Sequence, residues 1–180
     1  MSSQYTIDIH RHNFSVWAAA RAAQRGFTTV ENLKAALEQC GITEYVLNSD
    51  TNSLTTEDYM TLHSTWCNSI VQYLDSIHIK GSTFGRAAKL IAIYVKSMVT
   101  VCNSESNLAC IAYPPIDGVI LKNISKDKTL PKDFRQFCAK TKWTQLDEEN
   151  YMLLIRKLQK YVILDKPMWT LERYWSVTQS

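Results

Sequence analysis

The chain predicts an all-α fold, a compact helical domain, on three observations. Apolar residues recur at helical spacing in one stretch after another, and side chains suited to capping precede most of those stretches. No segment of useful length alternates apolar and polar residues as a half-buried strand would. A chain of 180 residues fits one domain, or one domain of two small lobes with a cleft between residues 1–80 and 81–180. At 46% apolar and 11% aromatic it can build a core, which excludes disorder by composition.

The elements follow in order. Asn13 caps a first helix, F-S-V-W-A-A-A-R-A-A-Q-R, which Gly26 ends. Its alanines favour helix and allow a close neighbour. Arg21 and Arg25 share one face, with Gln24 nearby, as a solvated basic edge or a phosphate-contacting one. Thr28 and Glu31 have capping-box spacing for a second helix, Thr29 to Gln39, with Leu33, Ala36 and Leu37 buried. Residues 42–54, rich in Asn and Ser, read as a loop. Thr55 and Asp58 open a third helix reaching Ile77, and its stripe of Tyr59, Leu62, Trp66, Ile70, Tyr73 and Leu74 reads as core.

A central helix spans Thr83–Val101. Phe84, Ala87, Ala88, Ile91, Tyr94, Val95 and Met98 form its apolar face. Arg86, Lys89, Lys96, Ser97 and Thr100 fall on a narrow opposite stripe that faces water or a binding cleft. A polar loop, 103–107, precedes Pro114 and Pro115, which force an extended approach. Asp117 then stands in N-cap position before Val119, Ile120 and Leu121. Pro131 suits the first turn of a short helix to Ala139, and Asp147 opens an amphipathic helix ending near Tyr161. Asp165 and Pro167 start a last helix through Trp175, where Trp169, Leu171, Tyr174 and Trp175 read as packing.

No apolar run approaches the roughly 20 residues that cross a bilayer, because Lys89 and Lys96 interrupt the longest one, so no membrane partner is expected. The N-terminus lacks a charged leader followed by an apolar core, and a cytoplasmic location is the expectation. Cys40, Cys67, Cys102, Cys110 and Cys138 are odd in number and contain no C-x-x-C pair, so they read as reduced thiols. His10 and His12 have no carboxylate or thiol at ligand spacing, and neither a metal nor another cofactor is implied. The net charge of +3 permits nucleic-acid binding without demanding it.

The central stretch carries the chemistry. Lys80-Gly81-Ser82-Thr83-Phe84-Gly85-Arg86 frames the entry to a helix with two glycines, Lys89 follows one turn in, and Asp117 caps the next helix 28 positions later. This order resembles the helix-hairpin-helix DNA glycosylase superfamily, most closely its archaeal 8-oxoguanine glycosylase branch, which tolerates a long connection between the two residues. The turn lacks the proline of the usual Leu-Pro-Gly-x-Gly pattern, and its glycines stand four apart. The resemblance covers residues 81–124 and implies a DNA-repair glycosylase, with lyase activity through a Schiff base. Lys89 would attack the sugar C1′, and Asp117 would assist departure of the base. Lys80, Gly81, Ser82, Gly85 and Arg86, with Arg21 and Arg25, would contact DNA phosphates, and Gln24 and Trp169 would line the base pocket.

An ordinary lysine, with a pKa of about 10.4, is almost wholly protonated at neutral pH, so a nucleophilic one needs a cleft that makes deprotonation easier. The ordinary meaning of each residue is plainer: a solvated lysine and a simple N-cap. Two further readings stand beside the enzyme. One is a non-catalytic helical domain that binds DNA or an acidic partner through Arg21, Arg25, Lys80, Arg86 and Lys96. The other is an interaction protein that docks through its aromatic C-terminal helix.

Overall fold

The computed structural model describes residues 5–24, 26–49 and 51–175. Among these every regular element is helical and none is a strand. The expected elements are present, with shifted ends. Helix α1 (Ile7–Gln24) begins well before Asn13, because the Thr6 hydroxyl accepts the Ile9 N–H at 3.3 Å and does the capping. Helix α2 (Val30–Gln39) starts on Thr29, whose side chain accepts from the Asn32 N–H, one residue beyond the Thr28 frame. Residues 42–54 are not all loop. Helix α3 (Ile42–Asn48) forms there after Gly41 turns the chain at φ +88°, and it is pinned by the burial of Ile42 despite its polar composition.

Helix α4 (Thr56–Ser76) opens with a complete capping box between Thr55 and Asp58. It buries Tyr59, His63, Trp66, Cys67, Ile70 and Leu74, one face at helical spacing. Trp66 packs on Tyr45 and Tyr59 inside this core. Helix α5 (Phe84–Val95) continues as a π-helical turn, Lys96–Thr100, in which the Val101 N–H reaches back to the Lys96 carbonyl. Expected to be amphipathic, α5 is instead buried on nearly every side, Lys89 included. It is the axis of the fold, packed most extensively on α1 and α4 and touching α2 and α9. Each fully buried Leu or Ile on it contributes about 1.5–3 kcal/mol.

The alanines read as permitting close approach do so. Ala19, Ala20 and Ala23 of α1 are buried, as are Ala87 and Ala88 of α5, in the most extensive helix pair of the fold. After α6 (Asn107–Ile111), capped by Ser106 and meeting the expected 103–107 loop only at Asn107, the chain crosses the interior as an extended segment. Residues 112–117 are all buried there. Pro114 and Pro115 suit that path because they carry no N–H that burial would leave unpaired, and the Tyr113 N–H donates to the Tyr59 hydroxyl.

Helix α7 (Gly118–Lys126) packs on α8 (Lys132–Lys140). A single 3-10 turn, Trp143–Gln145, leads to α9 (Glu148–Leu158), which also ends in a π-helical turn, Gln159–Ile163. The last element, Met168–Tyr174, is a 3-10 helix and not an α-helix. One continuous apolar core runs from Val16 to Leu171. No helix among the described residues is long and apolar enough to cross a membrane.

Candidate active site

Asp117 is held by the start of α7. Its backbone is extended, and its Oδ1 accepts the Val119 and Ile120 N–H groups at 2.9 and 3.1 Å. Two of the orphan donors of that helix are thereby satisfied, and the helix dipole favours the anion. The other oxygen, Oδ2, accepts from Lys89 Nζ at 3.3 Å. The two residues stand 28 positions apart in sequence, and both are buried, with side chains 4% and 7% exposed.

Lys89 also lines a cavity of about 300 Å3. Phe14, Ala18 and Ala22 of α1 form one wall, and Ile93, Lys96 and Ser97 continue the Lys89 side. Pro115 and Ile120 flank the position of Asp117, while Glu172 and Trp175 close the far end. Asp117 itself does not line the space. The volume is at the lower bound of ordinary small-molecule sites. Lys96 and Glu172 form an ion pair at the far end, and the Lys96 ammonium lies 5.5 Å from the Trp175 ring centroid. Of the basic stripe anticipated on the central helix, Lys89, Lys96 and Ser97 thus face a cleft.

The glycine-framed turn is tied to a distant segment of the chain. Gly85 is buried, and its N–H is bonded to the Leu146 carbonyl at 2.9 Å. A Cβ there would lie 2.0 Å from the Trp143 carbonyl oxygen, so the approach of the 143–146 segment by itself requires glycine. The Thr83 hydroxyl donates to the Thr144 carbonyl at 3.0 Å, a second tie to the same segment. Ser82 is satisfied internally by the Ile79 carbonyl. Gly81 has φ +82°, a conformation that glycine adopts without strain, and it stays exposed beside Lys80. The Arg86 guanidinium rests 4.3 Å from the Phe27 ring centroid, and burial pushes its pKa down. Arg21 is exposed near the end of α1, and Arg25 lies outside the described residues.

Neither expected pocket residue reaches the cavity. Gln24 lies on another face of α1 from the stripe of Phe14, Ala18 and Ala22. Trp169 sits at the start of the C-terminal 3-10 helix, before the cavity residues Glu172 and Trp175, its indole N–H donating to the Ser104 carbonyl at 3.2 Å. Trp143 escaped the sequence reading entirely, yet its ring centroid is 4.7 Å from Lys89 Nζ. The available signal was a tryptophan inside the otherwise polar run T-K-W-T-Q. His10 and His12 diverge: the first pairs with Tyr5, the second with the Tyr94 hydroxyl and Glu38.

No protein-family model, curated protein or solved structure matches the chain.

Proposed function

We propose that this protein is a DNA glycosylase with Schiff-base lyase activity, excising a damaged base that has been flipped into the cavity lined by Lys89. The observation that carries the reading is the meeting of Lys89 and Asp117 at 3.3 Å, with Lys89 also lining a cavity of about 300 Å3. A buried lysine beside a carboxylate, at the edge of a half-open cavity, fits a nucleophile whose proton has somewhere to go.

The step runs as follows. The Lys89 ammonium passes a proton to Asp117 Oδ2, while Oδ1 stays pinned by α7. The neutral amine bonds to C1′, the bond from C1′ to the base breaks, and the base leaves with that electron pair. The proton shed by the new secondary ammonium neutralises the departing base. The C1′–O4′ bond then opens to give an imine to Lys89, and O4′ takes the proton stored on Asp117. Asp117, ionised again, takes a proton from C2′ while the 3′-phosphate leaves with the electron pair of the C3′–O bond, and water adds to the imine carbon to release the lysine.

Borohydride tests this, because hydride addition to the imine leaves a stable secondary amine. A duplex oligonucleotide with one abasic site, and a panel with single damaged bases, are incubated with protein and borohydride. The expected result is a covalent adduct that is absent in Lys89→Gln, with that variant's fold checked by its thermal melt. Salt-sensitive DNA binding with neither adduct nor strand cleavage would overturn the enzymatic reading and favour a non-catalytic binder.

A further inference from the structure

Resting on the reading above only in taking DNA as the partner, we propose that the sugar–phosphate backbone is gripped by the basic face of α8 and the turn that follows it. Charge is unevenly placed along this chain. Residues 122–142 hold 7 of the 20 Lys and Arg but only 2 of the 17 Asp and Glu. Lys122, Lys126, Lys128, Lys132, Lys140 and Lys142 are all exposed, and among the described residues none of them forms an ion pair with a carboxylate. One of the two acids, Asp127, is engaged by Thr129 and Tyr174. A dense positive field is left for a partner to neutralise.

The fold gathers part of this charge around one hollow. Lys132, Gln136 and Lys140 stand on successive turns of one side of α8. Lys140 and Lys142, with Thr141, Gln145 and Asn150, line an open hollow of about 430 Å3 beside Phe137. The Lys157 ammonium of α9 lies 5.2 Å from the centroid of the Phe137 ring, a third cation at the same place. Among the described residues no carboxylate lines the hollow. Asp147 is engaged in capping α9, where its Oδ1 accepts the Asn150 N–H at 2.9 Å, and Glu148 accepts from Asn68. The turn is also fixed to the helix that carries Lys89. The Leu146 carbonyl accepts the Gly85 N–H at 2.9 Å, and the Thr144 carbonyl accepts the Thr83 hydroxyl at 3.0 Å.

The composition of this face selects among polyanions. A membrane-surface element buries apolar side chains beneath its lysines, and a protein interface has an apolar, often aromatic core. Among the described residues no large apolar side chain is exposed between positions 122 and 150. A phosphate backbone needs none. Protein–DNA interfaces are polar and strongly positive, and their binding is driven by release of counterions condensed on the phosphates.

The test uses the full chain and a short duplex without a lesion, with binding followed by fluorescence anisotropy between about 50 and 200 mM salt. Each phosphate contact adds about 0.9 to the slope of log affinity against log salt. Lys140→Gln combined with Lys142→Gln should therefore flatten that slope by about two and weaken binding at least about tenfold at the lower salt. Arginine at both positions should keep the wild-type slope. Arg11→Gln combined with Lys34→Gln removes the same charge from α1 and α2 and should keep it too, because salt screens distant charges.

An unchanged slope in the glutamine pair, or an equal fall in the α1–α2 pair, would overturn the proposal. So would a wild type that leaves the duplex unbound, whether or not it binds vesicles of phosphatidylserine and phosphatidylcholine. The glycosylase reading is judged separately. A flattened slope in the glutamine pair, with no borohydride adduct in wild type, would refute that reading and leave the backbone grip standing. A wild-type adduct with an unflattened slope would do the reverse.

Discussion

Asp117 performs two tasks with two oxygens, and substitutions separate them. Asparagine retains a good N-cap but removes the charge, leaving the Lys89 ammonium buried beside a neutral amide. Asp117→Asn should lower stability by about 3 kcal/mol or more, the usual penalty for breaking one side of a buried pair. Lys89→Met should have a similar effect, because it strands the carboxylate. The double variant should recover most of the loss, since no unpaired charge remains and the cap survives. Urea denaturation of the four proteins measures this cycle. Simple addition of the two single effects would mean that the pair is not coupled. The cap at Asp117 was legible in the sequence from its place before an apolar run. Its partner was suggested only by resemblance, because nothing in residue order reveals which side chains meet across 28 positions.

At the scale of elements, the cavity is a product of small residues. Ala18 and Ala22, one turn apart on α1, leave open a space that larger side chains would fill against Ile93 and Lys89. Ala18→Leu should occupy it at a stability change under about 1.5 kcal/mol, because the added carbons enter a void and displace no packed neighbours. The same variant should lose borohydride trapping while Lys89 and Asp117 remain paired. A melt near wild type together with undiminished trapping would show that the reaction happens elsewhere. The sequence read these alanines as helix formers that permit close packing, which is half of their role. The other half depends on which residues stand opposite, and periodicity along one helix carries no record of that. The glycine turn teaches the same lesson from the other side. Gly85 stood out in the sequence, yet its reason lies 58 residues away in the carbonyl of Trp143.

Over the whole molecule, α4, α9 and the extended segment meet around a buried aromatic cluster. His63 is fully buried there, stacked on Tyr151 at 5.5 Å and edge-on to Tyr113 at 4.8 Å. Burial pushes its pKa down to about 3 from an ordinary 6.5. Above pH 6.5 the ring is neutral whether folded or not and contributes no pH dependence. Below that value the unfolded chain binds a proton that the folded one refuses, so stability falls as the pH drops. The expected slope approaches about 1.4 kcal/mol per pH unit toward pH 4, and His63→Phe should flatten it. Asp127 loses its own stabilisation only below the ordinary carboxylate range, since hydrogen bonds from Thr129 and Tyr174 hold its pKa at about 2. An equal slope in wild type and His63→Phe between pH 6.5 and 4.5 would contradict this assignment.

The helical class and most element starts were legible because capping chemistry and periodicity are local. The short α3 and α6 were not, since burial against distant residues holds them where propensity alone would not. The assignment of Lys89 as the nucleophile is the claim on which the functional account rests, and peptide mapping of the borohydride-reduced DNA adduct tests it most directly. The account predicts nucleotide mass on the peptide containing Lys89, and none on any other amine. An adduct on the N-terminal amine or another lysine, or no adduct with any substrate in the panel, would contradict it.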